Sequence, residues 1–213
     1  MRLTWDPARH SLAVMAIPER REIWLVTGSQ HLYGTTELDT VSSTAKTVAA
    51  ALNQAPDILV PIKAGPVVTT AEAVRTVCRQ ANESQRCIGV IFWMYTVAPA
   101  DTWITGLQEL AKPLCHFHTH YNREIPWATI GPGSADTLPL QALSAAKSSN
   151  RGGDRPARAG GRQRTVIVGH WSDPVIVTAI GHWVRAAVGY REHVTMKVAS
   201  ATEAASEIAS RAS

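Results

Sequence analysis

Three histidines recur at every second position in HFHTHYNREIPW (116–127), where His116, His118 and His120 alternate with Phe117 and Thr119. On an extended strand that spacing points all three imidazoles to one face. Neutral imidazoles are good ligands for Zn or Mn, so an HxH pair at a strand end is a possible metal site. No Asp, Glu or further His follows at a spacing that would complete a shell, and His170, His182 and His193 are scattered over other segments. The spacing therefore leaves two readings open, metal ligation or imidazoles that hydrogen-bond and face a substrate. A second equipped segment is GSQHLYG (28–34), in which Gln30 offers two donors and an acceptor and Tyr33 a hydroxyl on a flat apolar ring. It matches neither GxGxxG nor GxxxxGK[ST], so it lacks the glycine spacing of a phosphate cradle. Its chemistry suits a polyol; a polar turn packed against itself is the plainer alternative.

Alternating strands and helices must position these segments. EIWLVTG (22–28) is an apolar run ending in a turn, and Leu38, Val41, Ala45, Val48 and Leu52 recur at helical spacing after it. DILVPIK (57–63) predicts a second strand, which Pro61 places at an irregular or edge position. Thr69 and Glu72 form a capping box for a helix that buries Val74, Val77, Cys78 and Ala81. RCIGVIFWM (86–94) is almost continuously apolar, as a central parallel strand covered on both faces should be. A helix around 103–110 and a fourth strand over 113–120 complete a doubly wound, Rossmann-like parallel α/β domain. In such a sheet ligands lie outside the carboxyl ends of the strands. That rule brings GSQHLYG, MYTVAPADTW (94–103) and HFHTHYNREIPW to one rim.

The pattern then breaks. Residues 131–161 are rich in Ala, Ser, Gly, Pro and Arg, with no aromatic residue and no apolar period. Between Lys147 and Arg164 six positive residues face Asp154 alone, so in a chain of net charge +4 the remainder is about −1. A basic run without aromatics lacks stacking platforms for single-stranded nucleic acid and reads as a solvated loop. Order resumes with RTVIVGHW (164–171), a further buried strand, and Asp173–Pro174 supplies N-cap and N1 for a helix carrying Ile176, Ile180, Trp183 and Ala187. VTMKVAS (194–200) predicts a sixth strand. The expected organisation is an N-terminal extension (1–20), an α/β domain (21–130), a low-complexity basic loop (131–163) and a partial second α/β unit (164–213).

With 213 residues, 45% hydrophobic and 18% charged, the composition is globular. No apolar run is long enough to cross a bilayer, and residues 1–21 have no signal-peptide core. Cys78, Cys87 and Cys115 form no CxxC, so reduced structural thiols are expected. These features favour a cytoplasmic protein that binds neither nucleic acid nor membrane.

The rim strings together resemble the L-arabinose isomerase family. The similar stretches are REIWLVTGSQHLYG (21–34), PVVTTAEAV (66–74), CRQANESQRCIGVIFWM (78–94), APADTWITGL (98–107), KPLCHFHTHYNREIPWATI (112–130) and RTVIVGHWSDP (164–174). GSQHLYG followed by HTxxNREIPW carries the specificity, because no generic α/β pattern demands either string. The resemblance implies a metal-assisted aldose–ketose isomerase of L-arabinose, with Mn²⁺ as cofactor. It further implies a homo-oligomer, in which the N-terminal domain of one chain covers the metal site of another. The positions matching that covering role, as substrate-binding residues, are Gln30, Leu32, Tyr33 and His120; the family usually has glutamine at the last. Tyr95 and Val97 stand where histidine and phenylalanine are usual. The resemblance lapses over 131–161 and again after Val198, which reads as out-of-frame or degenerate translation, and Met15 is a plausible true start. The family's metal ligands and its glutamate acid/base pair lie in the part that is missing. No catalytic and no metal-ligating residue is therefore assigned, and the chain is expected to be an N-terminal fragment inactive alone, working with full-length subunits or its own copies. The alternatives are a non-catalytic sugar-binding or assembly module, and an HxH metallohydrolase.

Overall fold

The computed structural model describes residues 21–30, 34–95, 100–119, 123 and 164–195. Five strands, β1 (Glu22–Gly28), β2 (Ile62–Val68), β3 (Cys87–Met94), β4 (Leu114–His118) and β5 (Thr165–Val168), form one sheet in the order β2-β1-β3-β4-β5. Every pairing in it is parallel. Helices α1 (Gly34–Leu52), α2 (Ala71–Glu83), α3 (Ala100–Glu109) and α4 (Pro174–Thr195) cover it. None of the described helices is long and apolar enough to cross a membrane.

The strand order reverses beside β1, so α1 and α2 lie on opposite faces. One core holds Ile23, Leu25, Ile91, Trp93 and Phe117 of the sheet against Val48 and Leu52 of α1 and Ile180, Trp183 and Val184 of α4. The other holds Val26, Val90 and Phe92 against Val74, Val77, Cys78 and Ala81 of α2 and Trp103 of α3. With both faces covered, all eight residues of β3 are buried, which is why its sequence does not alternate. Each pair of adjacent parallel strands needs a crossover, and the apolar stripes of the helices are what those crossovers bury.

The predicted boundaries shift in four places. The second strand begins at Ile62 instead of 57, because residues 53–58 continue α1 in tight turns, Gln54 N–H to Ala51 O at 3.1 Å and Ile58 N–H to Ala55 O at 3.1 Å. The Asn53 amide then closes a reciprocal pair with Ile62, 2.9 Å to its carbonyl and 2.8 Å from its N–H. Pro61 precedes the strand, and Pro66 within it sits where β2, the sheet edge, slips register against Leu25 and Thr27. The N-cap of α2 is Thr70, not Thr69: its side chain accepts from the Ala73 N–H, and Glu72 instead pairs with Arg79 at 3.0 Å. The strand predicted to be buried at 164–171 is the last of the described sheet, with Val166 and Val168 43% and 67% exposed among the described residues. Val194 and Thr195, expected in a sixth strand, close α4; the rest of that segment lies outside the described residues.

The described part of the expected second unit adds to the first sheet. β5 pairs with β4 from Cys115↔Thr165 to His118↔Val168. Asp173 caps α4 as expected, its side chain accepting from Val175 N–H at 2.9 Å and its carbonyl from Val177 N–H at 2.9 Å. Trp183 of α4 lies against β3 at Gly89, where an added Cβ would come within 3.0 Å of the indole. The proposed loop over 131–163 lies outside the described residues.

Candidate functional site

In the order β2-β1-β3-β4-β5 the winding reverses between β1 and β3, and the crevice at their carboxyl ends is the default ligand position. Gly28, Ser29 and Gln30 leave β1 at that point. Ser29 N–H donates to Val68 O of β2 at 3.0 Å, and Gly28 O accepts from Tyr95 N–H, just past β3, at 3.1 Å. Gly28 has no room for a side chain: a Cβ there would lie 2.4 Å from Trp103 Cζ2 and 2.8 Å from Met94 Sδ. The backbone is thus held from both sides and from below, and half-buried Gln30 follows directly. Leu32, Tyr33 and His120 lie outside the described residues, so among the expected substrate-binding positions Gln30 alone is placed.

On β4, His116 and His118 share a face as their spacing requires, with ring centroids 4.0 Å apart. His116 is buried, and its Nε2 finds no hydrogen-bond partner. Burial, then the charges of His118 and Arg164, push its pKa down to about 3, so the ring is neutral at pH 7. A neutral imidazole could ligate a metal, but the described residues contain no group of three or more His, Cys, Asp or Glu that could hold one. The Arg164 charge near His116 also opposes a cation, and Mn²⁺ prefers oxygen donors that this pair does not offer. The described residues therefore do not fit a Mn²⁺ centre.

Past β5 the chain turns at Gly169, whose φ of 149° suits glycine alone and whose Cβ would meet Ile176 Cδ1 at 2.5 Å. His170 Nδ1 accepts the Ser172 N–H at 3.2 Å, which leaves that nitrogen unprotonated. The Ser172 hydroxyl, 2.8 Å from the same atom, must then donate, and the ring proton sits on Nε2. Trp171 N–H donates to Thr119 Oγ1 at 3.0 Å, and Trp93 Nε1 donates to Thr119 O at 3.0 Å.

Sequence reasoning passed over Thr119 and the His170–Ser172 turn, and took Trp93 as core. Trp93 reads as one more apolar residue of a buried strand, and nothing in its spacing tells which atom its indole reaches. GHWSD after an apolar run was the available signal for the turn.

A family model for the L-arabinose isomerase N-terminal domain matches residues 17–195. The chain is 42% identical over 179 residues to an L-arabinose isomerase of Koribacter versatilis, covering 84% of this chain and 34% of that protein. It is 43% identical over 183 residues to one of Geobacillus stearothermophilus, covering 84% and 35%. One of Mycolicibacterium smegmatis is 42% identical over 178 residues, covering 84% and 34%. The chain spans about a third of the length of these curated relatives.

Proposed function

The chain belongs to the L-arabinose isomerase family, and from that premise we propose that it forms one wall of a pentose site and does not complete the reaction alone. The carrying observation is the position of Gly28 and Ser29, fixed to β2 and β3 at the point where the winding reverses, with Gln30 directly after them. An amide side chain there offers donors and an acceptor to sugar hydroxyls without any charge to attract phosphate. Leu32 and Tyr33, four and five residues past Gly28, and His120, directly after Thr119, are proposed to line the same wall.

Isomerisation needs a group to polarise the carbonyl and a base to move a proton between neighbouring carbons. Mn²⁺, the cofactor implied by the resemblance, would supply the first. The donor set for it is not found among the described residues. We assign both the metal and the proton-transferring carboxylates to residues outside the described ones, with full-length subunits in the cytoplasm as their expected source. This chain would then bind and orient the sugar and exclude water from one side.

L-Arabinose titrated into the purified chain is expected to shift the Gln30 side-chain amide resonance, with no ketose formed above the blank when Mn²⁺ is added. Gln30→Ala should weaken binding by about tenfold, the equivalent of about 1.4 kcal/mol for the lost hydrogen bonds. Ketose formation by the chain alone would overturn its assignment as an incomplete site. Unchanged binding by the variant would remove Gln30 from the wall.

A further inference from the structure

Two hydrogen bonds converge on Thr119, the first residue past β4, one from β3 and one from the turn after β5. Its carbonyl takes the indole N–H of Trp93 from β3, and its hydroxyl takes the backbone N–H of Trp171 from the turn after β5. The carbonyl just before it, of His118, takes the Gly169 N–H at 3.0 Å. Trp93 is itself immobilised. It is fully buried, its ring meets Tyr95 edge-on at 5.2 Å, and the Tyr95 N–H is bonded to Gly28 O. A continuous relay therefore runs along the carboxyl rim from Gly28 through Tyr95, Trp93 and Thr119 to Trp171.

The relay is not what strand pairing alone would produce. Trp93 pairs in register with Phe117, so its indole reaches two residues further along the chain, just past β4, to find the Thr119 carbonyl. Thr119 is 8% exposed, and both of its acceptors point sideways, one to a side chain and one to a loop. Hydrogen bonds in such a dry setting hold geometry tightly, because a broken one leaves a buried donor without water.

We propose that Thr119 is a positioning residue of the sugar wall: the Trp93–Thr119–Trp171 relay sets the height of the end of β4 against Gly28–Gln30. The inference builds on the sugar-wall reading and goes beyond it, by making a residue that need not touch the sugar responsible for its affinity. Thr119→Val keeps shape and removes the hydroxyl; Thr119→Ser keeps the hydroxyl.

The test is an L-arabinose titration of the full chain and both variants, read on the Gln30 side-chain amide and the Trp93 indole N–H by NMR. Wild type should bind, the valine variant at least tenfold more weakly, and the serine variant within about twofold of wild type. The indole signal should move in the valine variant before any sugar is added. Equal affinity in wild type and valine variant would overturn the positioning role while leaving the sugar wall standing. Absence of binding by wild type would overturn the sugar wall and this inference together. Should the valine variant fail to fold, Trp93→Phe removes the donor while keeping a ring, and is held to the same tenfold criterion.

Discussion

At the scale of single residues, His116 makes the sharpest prediction. Its folded pKa of about 3 lies below the ordinary value of 6.5, so an unfolded chain binds a proton that the folded one refuses. Its contribution is therefore complete above about pH 6.5 and lost as the pH falls toward 3, with a slope approaching about 1.4 kcal/mol per pH unit. Unfolding free energies measured between pH 4 and 7 should show this loss, and His116→Leu should flatten the curve by about one proton. A variant curve parallel to wild type would mean that the ring is protonated in the folded protein. The thiols make the complementary case. Burial pushes Cys78 and Cys115 up to about 12 and Cys87 up to about 11, and all three side chains are buried. A thiol is reactive as thiolate and when reached. Ellman's reagent at pH 8 should therefore find no reactive thiol in the native chain and three in urea; rapid labelling of any thiol before unfolding would contradict the burial.

Elements were legible where one physical signal dominated. β1 and β3 are apolar runs and α2 a capped stripe, and the structure places them within a residue or so of the expected limits. The second strand was misplaced because Ile58 and Val60 are apolar for a different reason: they seat the turn after α1 against the core. Burial in a turn and burial in a strand look alike in composition. The 164–171 run misled in the opposite sense, since a short apolar stretch does not tell whether a neighbour lies on its far side. Capping chemistry is more local and was read more faithfully at α4. Asp173→Ala removes the acceptor for Val175 N–H and should cost about 1 kcal/mol, within the usual 0.5–2 kcal/mol for a lost N-cap. Urea denaturation checks it, with Asp173→Asn recovering most of the loss. The candidate site was legible only in outline. Gln30 could be singled out from its type and place as a candidate, whereas the Thr119 relay depends on where an indole N–H points, which no spacing encodes.

Across the whole molecule, the two cores are built on one sheet, and each draws on segments distant in sequence: Ile23 of β1 shares a core with Trp183 and Val184 of α4. The rim inherits this arrangement, because its tied segments come from the ends of β1, β2, β3, β4 and β5. The position of β1 next to the sheet's centre has a consequence for how the protein is made. β1 is the first described strand to leave the ribosome, yet the neighbour on its inner side ends at Met94. At roughly 5–20 residues per second, that partner arrives after a delay on the order of seconds. Until then Ile23, Leu25 and Val26, among the most deeply buried side chains of the finished molecule, emerge with one flank unprotected. Nascent chains arrested before Cys87 should bind chaperones that recognise extended apolar segments, and release them once β3 has cleared the exit tunnel.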